Sequence, residues 1–407
     1  MSDKRRAPDS GDRSAAIDLS RRKLVGRKLQ QTAGAADEVV RASMFEARRA
    51  AAPYVTMARI ALRQLARSRP ARLGGVIIAG FALVAIFADV LANDLPLICR
   101  WHGVLYFFPN LTHPAALAGL DCGRMRFEAH ALSNQGIGHQ GVGRQGDWLL
   151  PPLVAFGPLR ADIASALLPP LAPGHPLGTD VLGRDVFART VHGARTALAL
   201  GFGAAAVLVI IGVVLGALAG FAGGAIDTIV TRIVESFTAI PTLVLVLIVG
   251  ALLPHPTTAS LLWTIALTRW TDLARLVRAE VLLSLGTDYV MAARALGASP
   301  SRVLRRHVLP NAIGPAIVAA AFGIASVVLV EAAVDFLHAG PPDLTASWGE
   351  SLGEARGHAG AWWLIAFPGS ALLALLIALN LVGEAARDAL DPKLRGVGEE
   401  LTEAMRS

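Results

Sequence analysis

The sequence predicts an all-α, polytopic membrane protein with about six membrane-crossing helices and both termini on the cytoplasmic side. Three observations carry that expectation. The 407 residues are 54% hydrophobic and only 17% charged, with a mean hydropathy of +0.51, whereas soluble chains carry roughly 25% charged residues. Six apolar runs approach the ~20 residues that a helix needs to cross a hydrocarbon core. The basic residues are unevenly spread, with 17 of 38 Lys and Arg falling in residues 1–72. The net charge of +7 has no basic domain with interleaved aromatics behind it, so nucleic acid is not an expected partner and the lipid bilayer is.

Taken in order, residues 1–72 read as a basic cytoplasmic N-terminal extension. Residues 1–35 are polar and charge-rich, a composition that predicts disorder. From Ala36 to Arg69, Val39, Val40, Met44, Tyr54, Met57, Ile60 and Leu65 are set among Arg residues. That pattern predicts an amphipathic helix on the inner membrane surface, with a specific partner contact as the alternative. The first apolar run, 73–93, lies behind this extension and reads as a retained anchor rather than a cleaved leader. Residues 94–195 hold eight Arg and no Lys and read as an external insert with the segment leading into the second span. Further spans at 197–220, 234–253, 258–280, 312–336 and 361–383 make a five-helix core over 196–384. Within it, 281–311 is a cytoplasmic loop, and 385–407 is a cytoplasmic tail. Six basic residues between Arg275 and Arg306 support that orientation. The span at 234–253 is the least regular, because Arg232 and Glu235 crowd its start and Pro241 interrupts it.

The external insert holds both cysteines. Cys99 and Cys122 can bridge in an oxidising compartment or stay as two thiols; composition leaves both readings open. His102 and His113 lie near them at a spacing that matches no zinc pattern, so no metal is expected.

Catalytic chemistry is not expected either. G-x-S-x-G and H-E-x-x-H do not occur. A P-loop needs a Lys directly after Gly, and the four lysines, Lys4, Lys23, Lys28 and Lys393, all follow other residues. ATP and Mg, if they drive this protein, therefore belong to separate subunits. Asp89, Arg232, Glu235, Arg269, Asp272, Glu331 and Asp335 lie within or beside the spans. Such groups default to functional hypotheses, although most lie near a predicted end, where long side chains reach the interface. Arg269 and Asp272 stand one turn apart and can satisfy each other.

The loop YVMAARALGASPSRVLRRHVLPN, Tyr289 to Asn311, is the most structured polar stretch. Thr287 or Asp288 can cap a first helix, on which Tyr289, Ala292, Ala293 and Leu296 share one apolar face of mostly small residues. Gly297 suits a left-handed turn. Ser299-Pro300 reads as the start of a second helix that ends at Leu309-Pro310. A small-residue face with a fixed elbow fits a groove on a partner, while basic helical loops are also ordinary on the inner side of membrane proteins.

A-A-x-x-x-G followed at a distance by Leu-Pro (Ala292, Ala293, Gly297, Leu309, Pro310) resembles the signature loop of permease subunits of ABC importers. Met291 stands where that family usually has Glu, which removes a salt bridge to the ATPase. HPLGTDVLGRDVFARTVHGART (175–196), GFAGGAIDTIVTRIVESFTAIP (220–241), WTDLARLVRAEVL (270–282), SWGE (347–350) and ARDALDPKL (386–394) are similar to dipeptide and oligopeptide permeases. LANDLPLICRWHGVLYFFPN (91–110) and VDFLHAGPP (334–342) resemble a long-insert branch associated with microcin C-type peptides.

The resemblance implies the type I ABC importer permease fold and alternating access. It implies a second homologous permease, two cytoplasmic ATPases and an extracytoplasmic solute-binding protein in the cytoplasmic (inner) membrane. Tyr289, Met291, Ala292, Ala293, Leu296, Gly297, Leu309 and Pro310 would form the ATPase-coupling loop. A permease for chelated metal such as nickel is the nearest alternative. An ion-coupled secondary transporter would need buried carboxylates near span midpoints, and a structural or assembly protein would leave the elbow without a role.

Overall fold

The computed structural model describes residues 68–125, 147–341 and 346–390. The expected amphipathic helix at 36–69 lies almost entirely outside the described residues, as do most of the C-terminal tail and the middle of the external insert.

Helix α1, Arg69–Ile86, begins where Ser68 accepts a hydrogen bond from the Ala71 amide and Pro70 fills the first turn. Helix α2, Val186–Ala222, is capped by Asp185, whose carboxylate accepts from the Ala188 amide. Helices α3, Gly224–Thr238, and α4, Thr242–Leu252, follow; α5 is Thr258–Leu285, closed at its start by a reciprocal Thr257–Ser260 capping box. Two short helices, α6 (Asp288–Ala295) and α7 (Pro300–Val303), lead into α8 (Leu309–Phe336). Helix α9, Trp348–Glu354, and helix α10, Trp363–Leu390, complete the described chain.

The six expected spans are corrected in two places. Among the described residues, four helical stretches are long and apolar enough to cross a membrane: Arg69–Ile86, Val186–Ala222, Pro300–Phe336 and Trp363–Leu390. Helices α3 and α4 make a fifth only as a pair bent by 85°. The straight span expected at 234–253 is therefore broken at Pro241, which cannot continue α3 and instead caps α4. Helix α5 is long enough by itself, but Arg269, Asp272, Arg275, Arg278 and Glu280 make its second half too polar to qualify on composition. The chain is a multi-pass membrane protein.

The main core lies between α2 and α5. Gly212, Gly216 and Gly220, spaced by four, bring the two backbones together. A Cβ on Gly216 would stand 2.5 Å from the Ala274 carbonyl oxygen, and neighbouring turns press Gly212 on Leu273 and Gly220 on Val281. A second cluster gathers Ala85 of α1, Ala194 and Ala197 of α2, Val328 of α8 and Leu375 and Leu379 of α10 around Trp348. The Trp348 indole donates to the Thr190 carbonyl at 2.8 Å.

Between α1 and α2 the insert forms a three-stranded antiparallel sheet, ordered β2-β1-β3, from β1 (Ile98–Trp101), β2 (Val104–Phe107) and β3 (Trp148–Leu150). The hairpin turn is His102-Gly103, with both residues at positive φ, 52° and 81°. Cys99 is buried in the sheet's inner cluster with Trp101, Leu117 and Met125. Cys122 is buried too, and no disulfide joins the pair. Burial first, and the Asp147 carboxylate second, push the Cys99 thiol up to about 11. That suppresses the thiolate through which a disulfide forms.

Candidate functional site

The expected elbow is built mainly from local chemistry. Thr287 takes the cap position of α6 in an extended conformation, but its hydroxyl turns back to the Ser284 carbonyl at 2.6 Å rather than capping the helix. At the other end, the Ala298 amide donates to Ala293 at 3.0 Å and the Gly297 amide to Arg294 at 2.9 Å. This is a Schellman closure, and it places Gly297 at φ +82°. Ser299, extended, and Pro300, at the first helical position, then start α7.

Leu309 and Pro310 do not end that second helix. The chain passes through a π turn at Leu304–Val308, where the Leu309 amide donates to Leu304, and continues directly into α8. Pro310 falls in the first turn of α8, where a missing amide is tolerated; sequence alone does not register the π turn that makes this possible.

Three valines that the sequence reading passed over hold the loop to the body: Val290, Val303 and Val308 are fully buried in the main core. Their spacing, one on α6, one at the end of α7 and one closing the π turn, is the available signal. The expected apolar face points the other way. Leu296 is 89% exposed, Met291 and Tyr289 are exposed, Ala292 is exposed and Ala293 half-buried. The Asn311 side-chain amide donates to the Tyr289 hydroxyl, tying α6 to the start of α8. The result is an anchored knob whose apolar tip has no partner among the described residues.

At the start of α2 the structure unites two motifs that are about 160 residues apart. Arg184 donates through Nε to Asp180 at 2.6 Å, contacts Glu350 at 3.3 Å and pairs with Glu354. Arg189, 1% exposed, pairs with Glu350 at 3.0 Å and donates to the Ser351 hydroxyl at 3.2 Å. His175 contacts Asp185 at 2.8 Å. Burial pushes Glu350 upward, but the Arg189 and Arg184 guanidinium groups outweigh it and hold the carboxyl below its usual range. Burial dominates at Glu354, which is pushed up to about 7.

The charges within the spans divide. Asp89 pairs with Arg195 at 2.8 Å, and Arg269 with Asp272 at 3.6 Å, as the one-turn spacing predicts. Glu331 and Asp335 do not reach an interface. Both are buried, one turn apart on α8, and the Ser347 hydroxyl donates to Glu331 at 3.0 Å.

Comparison with known proteins follows the same lines. A family model described as "Binding-protein-dependent transport system inner membrane component" matches residues 212–396. Another, "N-terminal TM domain of oligopeptide transport permease C", matches residues 56–97. The dipeptide transport system permease protein DppC of Bacillus subtilis is 36% identical over 247 residues, 60% of this chain and 77% of its own length. The di/tripeptide transport system permease protein DppC of Pseudomonas aeruginosa is 39% identical over 220 residues, 54% and 72% of the two chains. A chain of the MetNI methionine ABC transporter, inward-facing, aligns over 50% of this chain and 94% of its own, at 20% identity and a TM-score of 0.42.

Proposed function

This chain belongs to the binding-protein-dependent transport system inner membrane components, as a permease subunit of the ABC-type peptide importers, and from that premise we propose that separate ATPase subunits drive it through the elbow at 287–309. The observation that carries this reading is the knob itself. Buried valines anchor it on one side, while Leu296 and Met291 offer an apolar tip with no partner among the described residues. An exposed apolar tip on a fixed turn is the form of a helix that fills a groove on another protein.

In this reading two cytoplasmic ATPases bind ATP and Mg, and each grips one elbow, this chain's or that of a second homologous permease. Their closure tilts α6 and, through the continuous run from α7 into α8, the helix bundle. An extracytoplasmic solute-binding protein delivers the peptide on the opposite face of the inner membrane. This chain carries no hydrolytic step of its own. Met291 in place of the usual acid leaves the contact mainly apolar.

The test is uptake into proteoliposomes containing the whole complex and its binding protein. Peptide accumulation should require ATP inside and survive collapse of the proton gradient. Uptake of chelated nickel in preference to peptide, or uptake that ignores ATP, would contradict the proposal.

A further inference from the structure

We propose that the outer face of the insert's sheet, carrying Leu105, Phe107, Trp148 and Leu150, is seated on phospholipid, in the headgroup and upper acyl region beside the end of α1. The register defines that face. Antiparallel pairing sets Phe107, Ile98 and Leu150 in one cross-strand row and Leu105, Arg100 and Trp148 in the next. Side chains two positions apart on a strand share a face. The intervening Cys99, Tyr106 and Leu149 turn inward, to the cluster with Leu117 and Met125. The outer face has no cover among the described residues: Phe107 is 62% exposed, Leu150 50%, Trp148 49% and Leu105 46%. Several large apolar side chains exposed together mark a contact with protein or membrane.

Position favours the membrane. Strand β1 starts, and β2 and β3 end, at the Phe107–Ile98–Leu150 row, so every strand joins the body of the protein there. Short connections hold that end in place. Leu91, closing the helical turn Ala88–Leu91 that follows α1, accepts from the Val154 amide at 2.9 Å. The Asn110 side chain, just after β2, donates to the Asp89 carbonyl at 2.7 Å. These bonds tie the row to the end of α1, where Ile86 and Phe87 are exposed. They continue the exposed stripe of Leu73, Val76 and Leu83, the face that a spanning helix presents to lipid.

Polarity then rises along the strands in the order that a bilayer surface requires. The first row is wholly apolar. Two residues on, about 7 Å away, come Trp148 and Arg100. Trp favours the headgroup level, and Arg carries its charge out to water and phosphate along an apolar stem. Beyond them, the His102 and Gly103 amides donate to the Asp147 carboxylate at 3.1 and 3.4 Å. A groove on a protein imposes no such gradient, and a bilayer surface does. Acyl carbon thus covers Phe107 and Leu150, a lipid phosphate meets Arg100, and the sheet braces the end of α1.

The test places the photoreactive amino acid p-benzoylphenylalanine at Phe107 or at Leu150, in the full chain assembled with its partner subunits. The nanodiscs contain phosphatidylethanolamine and phosphatidylglycerol, and digestion with mass spectrometry identifies what each position captures on irradiation. Phospholipid adducts should form at both positions, and either one decides the matter if the other variant fails to assemble. Val104, on the opposite face of β2 and about 10 Å further along the strand, should lose the adduct. Capture of the second permease, of the binding protein or of residues 126–146 of this chain in place of lipid would overturn the inference. So would the absence of lipid adducts at 107 and 150, or equal lipid labelling at 104 and 107.

Discussion

Arg184 donates a hydrogen bond to Glu354, 170 residues away in sequence, inside the cluster that fastens the start of α2 to α9. Arg189, Asp180 and Glu350 complete that cluster. Because Glu354 keeps its proton up to about pH 7 in the folded protein, whereas an unfolded Glu loses it near 4.3, folding takes up a proton at intermediate pH. Stability contributed by this group is fully present below the unfolded value and is lost as pH rises towards 7. Glu350, shifted downward, changes in the opposite direction and at lower pH. The thermal midpoint of the purified complex should therefore fall between pH 5 and pH 7.5, and Glu354→Gln should flatten that slope. A slope unchanged by the substitution would assign the dependence to other groups.

The close approach of α2 and α5 makes a second prediction. Gly216→Leu drives a side chain into the Ala274 carbonyl and the Val277 side chain, and overpacking of this kind costs about 1–3 kcal/mol. The variant should melt earlier and assemble poorly. Gly75→Leu, where a Cβ meets nothing within 4 Å, should leave the midpoint almost unchanged. Equal midpoints for the two would show that α2 and α5 do not approach this closely.

Cys99 should be inert. With its thiol raised to about 11 and buried beside Trp101 and Met125, it should resist N-ethylmaleimide at pH 7 in the folded protein and react fully after denaturation without reductant. Peptide mass spectrometry reads both states. Rapid labelling of the native protein, or protection that persists after denaturation, would contradict the packing and the unbridged thiol respectively.

Orientation can be tested by labelling. The Lys and Arg asymmetry predicts that 94–195 lies outside and 281–311 inside. In a Cys99→Ser/Cys122→Ser background, a cysteine at Ala164 should react with an impermeant maleimide in spheroplasts, and one at Ser301 should not. The reverse pattern would invert the topology.

What was legible in the sequence is what short-range chemistry dictates. Gly297, Ser299 and Pro300 occupy the roles their residue types favour, because a positive φ, an extended cap and a missing amide are decided within a few residues. The apolar spans were legible where composition is uniform, as in α2 and α10. Tertiary effects were not. Pro241 announces an interruption, yet the 85° bend is set by how α3 and α4 pack. Leu309-Pro310 reads as a stop because the π turn that carries the helix through it has no residue signature of its own. Glu331 and Asp335 look like interfacial charges until α9 folds Ser347 over them. The spacing of Gly212, Gly216 and Gly220 and the His102-Gly103 turn did carry readable signals, of close helix packing and of a hairpin.

The elbow decides whether the account of coupling holds. A Cβ on Gly297 meets nothing within 4 Å among the described residues, so Gly297→Asp costs only the ~1 kcal/mol of a left-handed L-residue and should leave the helices in place. Its side chain instead intrudes on whatever grips Leu296. Arg302→Ala, on α7, removes a charge and leaves the turn as it is. Both variants should be reconstituted with their partner subunits and followed for ATPase co-purification and ATP-dependent peptide uptake. The account predicts that Gly297→Asp loses the ATPase and its uptake while Arg302→Ala keeps most of both; full assembly and near-normal uptake by Gly297→Asp would contradict it.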